Sequence, residues 1–97
     1  MEAELEVVKG LSLAVAGPGT RALAVIDGRI VSLVAPVGAN GPLQRQVLPA
    51  PGGGRVLSLG IGNEGPVAVT ANGACWCWSE HEKKWVKFGN LRDEASR

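Results

Sequence analysis

The sequence predicts an all-β chain built from two similar antiparallel units, and three observations carry that expectation. Leu11-Ser12-Leu13-Ala14-Val15 lines up with Leu57-Ser58-Leu59-Gly60-Ile61. Asp27-Gly28 lines up with Asn72-Gly73, so a tight-turn signal recurs at the same place in each copy. Between these signals run short apolar segments alternating with period two, the pattern of strands rather than helices. A repeat of about 45 residues with this content marks a blade array, in which each blade is a four-stranded antiparallel sheet. The 97 residues are expected to form one domain, 1–97, with repeat units at 4–50 and 54–91 and a polar tail at 92–97. Closing such an array takes about 4 to 8 blades. The expectation is therefore a partial β-propeller, completed by oligomerisation or by a partner protein. The alternative is a single small β-sandwich or barrel in which the repeat is coincident hairpin chemistry.

The elements follow in order. Residues 4–8 form a short candidate strand suited to a distant edge, broken by Lys9-Gly10. Residues 11–16 alternate larger apolar side chains (Leu11, Leu13, Val15) with small ones (Ser12, Ala14, Ala16), as a strand packed closely on both faces does, and Gly17-Pro18-Gly19 ends it. Residues 21–26 and 29–34 flank Asp27-Gly28, which supplies the two positive-φ positions of a type I′ turn and so predicts a hairpin. Residues 36–42 make a Pro/Gly loop, and 43–48 is a more polar run suited to an outer edge strand, closed by Pro49. Gly52-Gly53-Gly54 is the linker between copies. The second unit repeats the order: strands at 55–61, 66–71, 74–78 and 84–88, with Asn72-Gly73 at the second hairpin turn. The tail that follows, from Leu91, fits one helical turn or a frayed end.

Composition narrows the function. Ten Lys plus Arg against nine Asp plus Glu give a net charge of +1, with no basic run, so neither nucleic acid nor an anionic membrane surface is expected as a partner. Glu2, Glu4 and Glu6 stand where a secretory signal needs a positive start, and no run approaches a membrane span. Cys75 and Cys77 are the only cysteines. On one strand they share a face with extended chain between them, which disfavours a mutual disulfide. Both are read as reduced, and the expected location is intracellular. One histidine and no serine at a nucleophile elbow leave no triad or acid/base pair, so the expectation is no enzyme. Cys75, Cys77, Glu80, His81 and Glu82 lack the paired spacing of a structural zinc site, and no metal or cofactor is expected.

Trp76, Trp78 and Trp85 are the candidate binding residues, with Phe88 beside them in the same segment. Period two places Trp76 and Trp78 on one face, and Trp85 on the next strand is close enough to join them. Such a cluster can stack on a sugar ring or a partner's proline, and it can equally be core, since a chain with one Phe and no Tyr has few other large residues to build with. The copies differ most here, because Val31 and Leu33 occupy the positions of Trp76 and Trp78. Interaction hot spots are enriched in Trp. The expected role is thus a non-enzymatic protein–protein interaction or assembly module.

Two resemblances bear on that role. Val56-Leu57-Ser58-Leu59, Val67-Ala68-Val69-Thr70, Asn72-Gly73 and Cys75-Trp76-Cys77-Trp78-Ser79 resemble a WD-repeat blade. Ser79 stands where that family places its Asp, and no Gly-His pair precedes the blade. The string Cys75-Trp76-Cys77-Trp78, followed by Trp85-Val86-Lys87-Phe88-Gly89, is similar to the Trp-rich blades of fungal and bacterial fucose-binding lectins, some of which are two-blade chains that close a ring by oligomerising. That likeness implies a carbohydrate-binding lectin as the alternative function. The first unit, with no Trp, departs from it.

Overall fold

In the computed structural model, residues 7–36 and 41–96 are described, and they form two four-stranded antiparallel sheets. The first sheet is a meander of β1 (Leu11–Ala16), β2 (Arg21–Ile26), β3 (Arg29–Val34) and β4 (Gln44–Leu48). The second repeats it with β5 (Val56–Gly62), β6 (Gly65–Thr70), β7 (Ala74–Ser79) and β8 (Lys84–Asn90). The chain is therefore all-β in two similar units, and neither sheet closes into a barrel. A short helix, α1 (Leu91–Ala95), follows β8 directly. Of the edge strand expected at 4–8, residues 4–6 lie outside the described residues, and Val7 and Val8 are not in a strand. Residues 37–40 of the expected loop also lie outside them.

The two central hairpins close by different chemistry. Asp27 (φ 52°) and Gly28 (φ 80°) both take left-handed conformations between Ile26 and Arg29, the geometry of a two-residue type I′ turn. The second turn holds one residue more. The Gly73 N–H donates to the Thr70 carbonyl at 2.8 Å, and Gly73 alone has positive φ (88°), which makes Ala71-Asn72-Gly73 a three-residue loop. Helix α1 docks on this turn: the Leu91 N–H donates to the Gly73 carbonyl at 2.8 Å, and Asn90 caps the helix by accepting from the Arg92 N–H at 2.8 Å. The glycine linker is held at the same place. Pro51 is buried, and the Gly53 carbonyl accepts from the Asn72 N–H at 3.1 Å.

The ladders of the first three strands superimpose pair for pair, and the fourth departs by an extra bulge: Ile30 pairs with Leu48, whereas Cys75 pairs with Gly89 and Trp76 with Lys87, leaving Phe88 between them. Leu11↔Ile26 falls on Val56↔Thr70, Ala14↔Ala24 on Leu59↔Ala68, Ala24↔Val31 on Ala68↔Trp76, and Leu33↔Arg45 on Trp78↔Trp85. Even the first-strand bulge recurs, between Leu11 and Leu13 in one sheet and between Val56 and Ser58 in the other. Val31 and Leu33 do occupy the places of Trp76 and Trp78. The matching Leu-Ser-Leu strings do not coincide: Leu11 corresponds to Val56, not Leu57. Side chains alternate faces along a strand, so this one-residue slip sends Leu13 and Leu59 to opposite faces of their sheets.

We call front the face of each sheet that carries Val31 and Leu33 or Trp76 and Trp78, and back the other. The core lies between the back of the first sheet and the front of the second. Leu23, Val25, Ile30 and Leu48 pack there against Val56, Ala68 and Trp78, with Leu13, Val15, Leu59, Ile61 and Trp85 around them. β1 and β5 lie against each other, and β2 also reaches β5. The two units thus stack front to back, using non-equivalent faces, rather than meeting like face to like.

Candidate functional site

Trp78 and Trp85 come together where the sequence places them, but they point into the seam between the sheets. Their rings are 5.4 Å apart at an interplanar angle of 72°, an edge-to-face pair. Trp78 is only 6% exposed, and Trp85 is half-buried with its Nε1 donating to the Pro49 carbonyl at 2.6 Å. That bond ties the last strand of the second unit to the end of the first. Trp76, also half-buried, lies on the same face one pair further along β7. Phe88, 62% exposed, stands at a bulge between Lys87, which pairs with Trp76, and Gly89, which pairs with Cys75.

Trp76 belongs to a buried polar chain. Its Nε1 donates to Thr70 Oγ1 at 3.1 Å, and the Thr70 hydroxyl donates to Asn72 Oδ1 at 2.9 Å. Asn72 Oδ1 also accepts from the Ala74 N–H at 3.0 Å, which holds the hairpin turn shut. Thr70 is fully buried, so its hydroxyl has no water to fall back on. Thr70→Val keeps the shape and removes that hydroxyl, leaving the Trp76 N–H without its acceptor. The expected loss is about 1 to 3 kcal/mol of unfolding free energy, read by urea denaturation. A loss under about 0.5 kcal/mol would contradict a structural role for the chain.

Glu80 is the site residue that sequence reasoning passed over. It accepts from Trp78 Nε1 at 2.9 Å and from Gln46 Nε2 at 3.1 Å, so one carboxylate joins β7 to β4 across the seam, and Lys83 pairs with it from the adjoining loop. The signal was available, because period two puts Glu80 on the same side as Trp78. Hydrogen bonds from Lys83, then Gln46, then Trp78 hold the Glu80 carboxyl down to about 2 although the side chain is exposed. A carboxyl lowered in the folded state contributes stability that is complete above its unfolded value and lost as pH falls toward the folded one. This contribution should fade between the ordinary glutamate value of 4.5 and about 2. A carbon-13 titration of the Glu80 carboxyl should give a midpoint well below 4.5, and an ordinary glutamate midpoint would contradict the latch.

The remaining candidate is a surface the sequence did not single out. The front of the first sheet carries small and medium apolar side chains, among them Ala14, Ala22, Ala24, Val31 and Leu33, around an open hollow of about 400 Å³. The equivalent positions behave differently in the two units. Val56 and Trp78 on the second front are 7% and 6% exposed, whereas Leu11 and Leu33 on the first are 44% and 36% exposed. On the backs, Leu48 is 1% exposed, whereas Val86 on β8, paired with Cys77, is 38% exposed. Each end of the two-sheet stack therefore presents a face that the seam buries.

Among the described residues, the buried Cys75 and the half-buried Cys77 are free thiols on the back of the second sheet, and no group of three or more His, Cys, Asp or Glu side chains is placed to hold a metal ion. No helix among them is long and apolar enough to cross a membrane. No family model matches the chain, and neither do the curated proteins or the solved structures compared with it.

Proposed function

We propose that this chain is a non-enzymatic interaction and assembly module, a two-blade segment of a propeller-like array whose end faces are covered by further protein. The observation that supports the reading is the apolar front of the first sheet, a continuous face with a hollow of about 400 Å³ whose counterpart in the second unit is core. Apolar surface of that kind on a sheet flanked by free edge strands promotes association. The polar groups at the seam suit the same role. Gln46 and Trp78 both donate to Glu80, which acts as a fastening between units.

The test is a single charge on the open front. Ala24 lies at its centre, on β2, and contributes nothing to the seam. The unmodified chain should associate or fall out of solution in the micromolar range in light scattering. Ala24→Arg should remain monodisperse with an unchanged unfolding midpoint. A wild-type chain that is already a well-behaved monomer, indifferent to Ala24→Arg, would contradict the reading.

A further inference from the structure

We propose that the protein covering the front of the first sheet is the back of the second sheet of another copy of this chain, so that copies join head to tail. The inference rests on the assembly reading above and names its partner. It follows from how the chain packs on itself. The seam joins the back of one unit to the front of the next, and the two units share their strand order, the ladders of their first three strands and the first-strand bulge. A front-to-back contact is heterologous, and such a contact does not exhaust itself: it leaves one front and one back unused. Those unused faces are the two that stand open, with Leu11 and Leu33 exposed on the first front and Val86 on the second back.

The hollow on the first front exists because Val31 and Leu33 are smaller than the tryptophans that fill their places in the second unit. A donor is also retained. Arg45 takes the place of Trp85, whose Nε1 bonds the Pro49 carbonyl across the seam. The difference between the copies thus reads as the difference between a contact inside one chain and the matching contact between two.

Two single variants and their mixture test this. Leu33→Asp spoils only the front of the first sheet, and Val86→Asp spoils only the back of the second. Both positions are exposed in the single chain, so each variant should keep the wild-type circular dichroism and run as a monomer in sedimentation velocity. If either variant misfolds, Leu11→Asp on the front or Val67→Asp on the back, paired with Cys77, takes its place. Mixed in equal amounts, a front-spoiled and a back-spoiled chain still share one good front and one good back. The expected result is a one-to-one heterodimer that grows no further. If only the front variant disrupts association, copies meet like face to like and the head-to-tail contact is wrong, while the assembly reading stands. A wild-type chain that precipitates, with variants that form no heterodimer on mixing, points to a different protein as the partner and overturns the inference alone. A monomeric wild-type chain overturns both.

Discussion

Trp78→Ala is expected to lower the unfolding free energy by about 3 to 5 kcal/mol, the range for truncating a large buried aromatic. Trp78 is 6% exposed and meets three things at once: the apolar back of the first sheet, the edge of Trp85, and the Glu80 carboxylate. Truncation opens a cavity in the seam between the units and removes the donor that anchors Glu80. Trp78→Phe separates the two effects. It keeps most of the apolar bulk and loses the hydrogen bond, which is worth about 0.5 to 1.5 kcal/mol net. Urea denaturation of both variants, in the Val86→Asp background so that association does not enter the measurement, checks the ordering. A loss under about 1 kcal/mol for Trp78→Ala would show that the seam does not hold the units together.

Ile30→Ala is the second large effect, with an expected loss of about 2 to 5 kcal/mol, against about 0.5 to 1.5 kcal/mol for Ile30→Val. Ile30 is completely buried and sits on β3 between Val25 and Leu48, so it forms the floor of the first unit's half of the seam. Its neighbours are locked in sheet register and cannot collapse into the space. Denaturant unfolding of the two variants gives the comparison directly. Equal, small losses would mean that the back of the first sheet is not a packed surface.

Much of this architecture was legible because the strands announce themselves locally. The spans of β1, β2 and β3 match the apolar runs residue for residue, since each is bounded by turn residues with a definite conformational reason to be there. Asp27-Gly28 and Asn72-Gly73 both mark hairpins, although the second holds an extra residue that the pair alone does not reveal. The Leu-Ser-Leu match misled by one position. The bulged residue is Ser12 in one copy and Leu57 in the other, so the register follows the bulge and not the Leu-Ser-Leu string, and a bulge has no compositional signature here.

The candidate site was legible only in part, for a different reason. Sequence shows that Trp76 and Trp78 share a face and that Phe88 is near them in the chain. It does not show which face of a sheet is covered, because that depends on how the units stack. The structure turns Trp78 and Trp85 inward and Phe88 outward, and it places the open apolar surface on Ala14, Ala22 and Ala24, residues too small to attract notice. Glu80 drew attention only beside Cys75, Cys77, His81 and Glu82 as a candidate metal ligand, yet it is the polar link across the seam.

The central claim is that one front-to-back contact is used within the chain and again between chains. The mass of the unmodified protein in native mass spectrometry tests it most directly. A ring of about 4 to 8 blades built from two-blade chains contains two, three or four copies. The account predicts one discrete species at one of those multiples of the 10.0 kDa chain mass, unchanged on dilution through the micromolar range. A single 10.0 kDa species at every concentration would contradict it.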